Sequence, residues 1–273
     1  MLVPRSSSAM PQLLVSVQNA HEAKRAVAGG CDLLDIKDPS RGSLGMAGRD
    51  AIATVVRAAA LMSADGSRVP VSVALGEIVD WLDHAKAVVL PGGLDYAKLG
   101  TAGVNQDGEW TRKWSRVRQM FEATAEASFR WIAVAYADWT DAAAPEPEAV
   151  IEAAAAAGCH GVLIDTHGKT DRTLTDFLAG KELEQLAANV RKLGMVLALA
   201  GQLRADCLPS LAPAKPDILA IRTAGCHGRQ RSGSICTEAV WAFREAMCEA
   251  FGQPISLDSQ RGSSPIKNAS ALS

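Results

Sequence analysis
The chain reads as an α/β protein of the (β/α)8 TIM-barrel type, a single catalytic domain over residues 11–252 of its 273. Three observations predict this. Short β-rich runs alternate with helical segments eight times in about 240 residues, the number and size that such a barrel needs. No Gly-x-Gly-x-x-Gly follows the first strand, which disfavours the competing doubly wound sheet and its phosphate fingerprint. Ionisable residues also recur at the downstream ends of the apolar runs, the rim where barrels carry their chemistry.

Leu13–Val17 predicts the first strand, and Ala20–Gly30 a helix stopped by Gly29-Gly30. Asp32–Lys37 is the second strand. Its Gly-, Pro- and Ser-rich loop leads into a helix over Asp50–Met62, where Ile52, Val55, Val56 and Ala59 share one face. Val69–Gly76 is the third strand, with a helix over Trp81–Leu90. Tyr96–Gly100 is the fourth, followed by a loop and a helix around Trp110–Ala127. Trp131–Asp138 is the fifth strand, and Pro147–Gly158, almost all Ala, Glu, Val and Ile, is its helix. Gly161–Asp165 is the sixth, with helical signal over Thr173–Leu193 broken near Gly180. Gly194–Gly201 is the seventh, with a short helix over Arg204–Leu211. Ile218–Arg222 is the eighth, and Thr237–Phe251 the closing helix. Residues 1–10 read as an unstructured leader and the Ser-rich residues 253–273 as a disordered tail.

Lys and Arg number 28 against 30 Asp and Glu, so bulk charge points to neither nucleic acid nor a membrane surface. The longest apolar runs, such as Met195–Ala200, are far too short to span a bilayer. Six dispersed cysteines without a Cys-x-x-Cys read as reduced thiols of a cytoplasmic protein. The five histidines form no ligand-like cluster, so a metal site is not expected.

Side chains alternate along a strand, so Asp35 and Lys37 face the same way, about 7 Å apart. An acid and an amine where a buried strand ends are costly unless paired or functional. The other strand ends supply Lys98, Tyr136 with Asp138, Asp165, Gly201-Gln202 and Arg222. Asp165 opens Asp-Thr-His-Gly-Lys, which brings Lys169 over the same mouth; His167 between them is a candidate substrate contact or a plain loop residue. Any one of these lysines is accounted for by an ion pair. Three of them with two aspartates suggest an amine that attacks a carbonyl to form a Schiff base, since crowding by cations and apolar walls lowers a lysine's pKa. The carboxylates would then move protons. Small residues at Gly201-Gln202 and after Arg222, through Thr223, Ala224 and Gly225, suit a phosphate cradle, with Arg222 and Arg229 or Arg231 adding charge. Plain tight turns explain the same residues. Tyr136 packs in the rim, and Asp138 positions a lysine or touches substrate. Trp110, Trp114 and Trp241 face the core or a subunit partner.

Several of these blocks also carry a resemblance. Leu-Val-Ser-Val, the run from Ala26 through Asp35-Ile-Lys-Asp-Pro39 with Gly42-Ser-Leu-Gly45, Tyr96-Ala-Lys-Leu-Gly100, Ala135-Tyr-Ala-Asp138, Leu163-Ile-Asp-Thr166, Leu199-Ala-Gly-Gln-Leu203 and Pro216-Asp-Ile-Leu-Ala-Ile-Arg222 resemble the (5-formylfuran-3-yl)methyl phosphate synthase family. The likeness runs from about Leu13 to Ala250. It implies a barrel lyase that joins two molecules of glyceraldehyde 3-phosphate, with loss of phosphate and water, into the furan precursor of methanofuran, without metal or organic cofactor. By motif, Lys37 is implied as the Schiff-base lysine and Lys98 as the proton acceptor. Asp35, Asp165 and Lys169 are implied as proton-shuttling or orienting partners. Archaeal members read Asp-Thr-Ala-Val-Lys where this chain has Asp165-Thr-His-Gly-Lys169; the Asp-to-Lys spacing is kept. A homo-oligomer working on triose phosphates is the expected state. Another Schiff-base aldolase of phosphorylated trioses and a non-catalytic phosphometabolite-binding barrel are the alternatives.

Overall fold
The computed structural model describes residues 10–62, 68–85, 87–104, 108–168, 170–230 and 232–252. The expected leader, apart from residue 10, and the expected tail lie outside them. Eight parallel strands close on themselves in chain order, so the barrel is as expected. They are β1 (Gln12–Val17), β2 (Leu33–Ile36), β3 (Val71–Glu77), β4 (Tyr96–Gly100), β5 (Arg130–Tyr136), β6 (Gly161–Asp165), β7 (Val196–Leu199) and β8 (Ile218–Ile221).

The strand sequences are near-continuous apolar runs because both faces are buried, as all-parallel sheets require. One face looks into the barrel, where Leu14, Leu33, Tyr96, Ile132, Leu163, Val196 and Ile218 pack together. The other, with Val15, Leu34, Val73, Leu99, Ala133 and Leu197, meets the helices. The helices are α1 (Ala20–Ala28), α2 (Arg49–Ala59), α3 (Trp110–Glu122), α4 (Pro147–Ala156), α5 (Gly180–Lys192), α6 (Leu208–Leu211) and α7 (Thr237–Phe251). Their apolar stripes recur at helical spacing, as Leu183, Leu186, Ala187 and Val190 do in α5. Trp110 and Trp114 are buried in this outer layer, on the core side of the two expected choices. Among the described residues no helix is long and apolar enough to cross a membrane.

One expected helix is absent. Over Trp81–Leu90 the chain makes a 3-10 turn, Ile78–Trp81, and then runs irregularly through its described residues to Leu90. The buried positions there are Trp81, Ala87 and Leu90, while Val88 and Val89 are exposed, so no single face could seat a helix. The Trp81 indole N–H instead donates to the Leu75 carbonyl at 2.7 Å, folding the turn back onto β3.

Candidate active site
Three strand ends deliver Asp35, Lys37, Lys98 and Asp165 to one mouth. Asp35 is the inward residue of β2 just before its last, and its register partners on the adjoining strands are Ser16 and Ser72. Its Oδ1 lies 2.7 Å from Lys98 Nζ, and its Oδ2 accepts from Ser16 Oγ at 3.0 Å. Asp35 is 1% exposed and Lys98 4%, so each needs the other's charge. Lys37 follows β2 and prolongs its ladder by donating its backbone N–H to the Val17 carbonyl. Asp165 closes β6, accepting the Thr166 N–H at 2.7 Å through Oδ1 and Ser43 Oγ at 3.4 Å through Oδ2.

Asp35, Lys37, Lys98 and Asp165 line one small cavity, together with Gly201, Gln202, Arg222 and Thr223 from the β7 and β8 loops. A second, open cavity of about 510 Å³ adjoins it over the same loops, sharing Gln202, Leu203 and Thr223 and adding Ala224, Arg204 and Arg229. Gly201 (φ 100°) and Gln202 (φ 52°) take left-handed backbone. A Cβ on Gly201 would meet Thr166 at 3.0 Å, so glycine is what lets the β7 loop turn beside β6.

Other expected site residues sit differently. Arg222 is 4% exposed, and its guanidinium is engaged by Glu22 at 2.7 and 3.3 Å and by the Ser16 and Gly233 carbonyls. It fastens β8 to α1 through Glu22 while it lines the mouth. Gly225 gives its N–H to the Arg222 carbonyl and packs under Val240, so it supports the turn from below. Asp138 accepts the His167 and Gly168 N–H groups, both at 2.7 Å, and so holds the loop after β6. His167 stands edge-on to the Tyr136 ring, with centroids 5.3 Å apart. Lys169 and Arg231 lie outside the described residues. Among the described residues no group of three or more His, Cys, Asp and Glu side chains is placed to hold a metal.

Three participants escaped the sequence reading. Ser16 is a lone hydroxyl in an apolar strand. Ser43 belongs to Gly42-Ser-Leu-Gly45, which loop composition alone does not place. Glu77 ends β3, after Gly76 (φ 83°) and a register shift against β4. Its carboxylate accepts from the Tyr136 hydroxyl at 2.6 Å and from the Ala102 N–H at 2.9 Å. Burial pushes the Glu77 pKa up to about 7, against the lowering effect of the Tyr136 hydrogen bond. Tyr136 is itself raised well above a free phenol, by burial first and by Glu77 second. An acid following a glycine at an apolar strand's end, Leu75-Gly-Glu77, was the available signal.

Sequence comparison bears directly on this constellation. A family model described as 4-HFC-P synthase matches residues 13–244. The chain belongs to this family. A Methanopyrus kandleri (5-formylfuran-3-yl)methyl phosphate synthase is 32% identical over 243 residues, covering 87% of this chain and 99% of that protein. The enzyme of the same name from Methanocaldococcus jannaschii is 32% identical over 239 residues, 85% of this chain and 98% of that one. A Methylorubrum extorquens protein is 33% identical over 243 residues, 87% and 94% of the two chains. Among solved structures, GGGPS from Thermoplasma volcanium superposes with a TM-score of 0.57 at 10% identity, over 90% of this chain and 94% of that one. At that identity the likeness concerns the barrel alone.

Proposed function
We propose that this member of the 4-HFC-P synthase family is a lyase that condenses two molecules of glyceraldehyde 3-phosphate into (5-formylfuran-3-yl)methyl phosphate, with loss of phosphate and water, for a methanofuran-type cofactor. One observation carries the reading: Lys37, Lys98, Asp35 and Asp165 line a single mouth cavity, in a chain of a family whose named members make that furan.

Lys37 is the nucleophile. Its neutral amine adds to the carbonyl carbon of the first triose, and loss of water from the carbinolamine gives an iminium that draws electrons from the adjacent carbon. Asp35 first takes a proton from the Lys98 ammonium across their 2.7 Å contact, and the neutral Nζ so formed takes the proton from that carbon. Asp165, fixed by the Thr166 N–H, returns protons to oxygens that leave as water. Lys169, assigned by its spacing from Asp165 in the motif, assists in these transfers. The enamine adds to the aldehyde of the second triose, elimination of phosphate and water follows, and hydrolysis frees the lysine. Gln202, Leu203 and Thr223 edge both the mouth and the larger cavity beside it, which Ala224 also lines, room enough for a phosphorylated triose, with Arg204 and Arg229 at its rim. The free thiols suit a reducing cytoplasm, and Cys31 and Cys159, with pKa values pushed by burial to about 12 and about 11, are poor nucleophiles.

The test is reductive trapping. Glyceraldehyde 3-phosphate with borohydride is expected to add covalent mass at Lys37 of the wild type, and Lys37→Ala to stay folded, unlabelled and inactive. Product mass analysis separates the furan from a simple aldol. An unlabelled wild type overturns the reading.

A further inference from the structure
The loop after β2 crosses the barrel mouth as a tight strap. Asp38 opens it, accepting the Ser40 N–H at 3.0 Å through its side chain and donating its own N–H to the Gly45 carbonyl at 2.8 Å. Gly42 takes φ 108° and ψ −167°, a region open essentially only to glycine. A Cβ on Gly45 would collide with the Asp38 carbonyl and with Arg41. The two glycines thus force a turn whose intervening side chains, Ser43 at 2% and Leu44 at 1% exposure, are driven inward.

The strap is tied down on two sides. The Leu44 carbonyl accepts the Gly76 N–H of β3 at 2.8 Å. Ser43 Oγ reaches the far side of the barrel, donating to the Thr166 carbonyl at 3.2 Å and approaching Asp165 Oδ2 at 3.4 Å. Strands β2 and β6 stand opposite each other in the closed ring. Met46 and Ala47 of the same loop join the helix-facing core, whereas Leu44 packs with the residues that fill the barrel interior. It lines the same small cavity as Lys37, Lys98 and Asp165.

We propose that Leu44 is a specificity-determining residue: its isobutyl group roofs the amines and restricts the carbonyl compounds that reach Lys37 to three-carbon phosphorylated aldehydes and ketones. This rests on Lys37 forming the imine. A carbonyl carbon at Lys37 shares the mouth with Leu44, and each further carbon on the substrate must displace it. The backbone that carries Leu44 is held on opposite sides of the ring, by its own carbonyl on Gly76 and by the Ser43 hydroxyl on Thr166.

Borohydride trapping rates with glyceraldehyde 3-phosphate and with the four-carbon erythrose 4-phosphate test this in the full-length wild type, Leu44→Ala and Leu44→Val. The wild type is expected to label at least tenfold faster with the triose, and Leu44→Ala to narrow that ratio about tenfold or more, the discrimination a hydrophobic pocket achieves per methylene. Leu44→Val should fall between them, and it decides the matter alone if Leu44→Ala does not fold. A wild type that labels with the triose, beside folded variants that keep its ratio, overturns the roof and leaves the imine standing. A wild type labelled by neither sugar removes both.

Discussion

At the scale of single residues, the mouth shows two ways of keeping a charge out of water. Asp35 and Lys98 do it by mutual contact at 2.7 Å, with Ser16 occupying the second carboxylate oxygen. Glu77 does it by holding its proton up to about pH 7. The unfolded chain releases that proton near pH 4.5, so between about pH 4.5 and pH 7 the unfolded state binds fewer protons than the native one. Stability therefore falls across that window and levels off above it. Glu77 contributes a decline on the order of 1–3 kcal/mol, and Glu77→Gln is expected to flatten it in urea titrations run from pH 4 to pH 8. The charged strand-end residues were legible in the sequence because an ionisable group ending an apolar run is conspicuous. Glu77 was harder to see, since its inward turn depends on the left-handed Gly76 and on a slipped register that only pairing with β4 reveals.

Elements such as Tyr96–Gly100, Gly161–Asp165 and Thr237–Phe251 could be read to the residue, because burial on both faces or one helical stripe leaves a periodic trace. Loops leave none. The carboxylate of Asp138 crosses from the end of β5 to cap the Thr166–Gly168 turn with two 2.7 Å bonds, an arrangement set by strand adjacency and not by spacing along the chain. Asp138→Ala removes both acceptors at once. Backbone amide exchange at His167 and Gly168 should then rise at least tenfold, the equivalent of about 1.4 kcal/mol in local opening, with exchange in β1 and β8 unchanged. Uniform acceleration across the barrel, or none at residues 167 and 168, contradicts this account of the loop. The Trp81–Leu90 segment teaches the complementary lesson: an apolar composition was present, but without a face to bury it did not become a helix.

For the molecule as a whole, closure of the ring is where distant sequence matters most. The last strand pairs with the first, Gln12↔Ile218 through Val15↔Ile221. Arg222 and Glu22, 200 residues apart, seal the rim of that seam at 2.7 Å while both are almost wholly buried. No reading of local pattern could have matched them, because only closure of the ring brings β8 against β1. Glu22→Gln keeps the shape and leaves the guanidinium without its counter-charge, so denaturant unfolding should show a loss of about 3–5 kcal/mol. Replacing the pair together, Glu22→Leu with Arg222→Met, should recover most of it. Gly100 carries a consequence for descent as well as for stability. A Cβ there would land on the Glu77 carboxylate and within 2.6 Å of the Tyr136 hydroxyl. Positions 77, 100 and 136, one on each of three consecutive strands, are thus free to vary only in concert: a lineage that gains a side chain at 100 must already have surrendered the acid–phenol contact, and the order of those replacements is constrained.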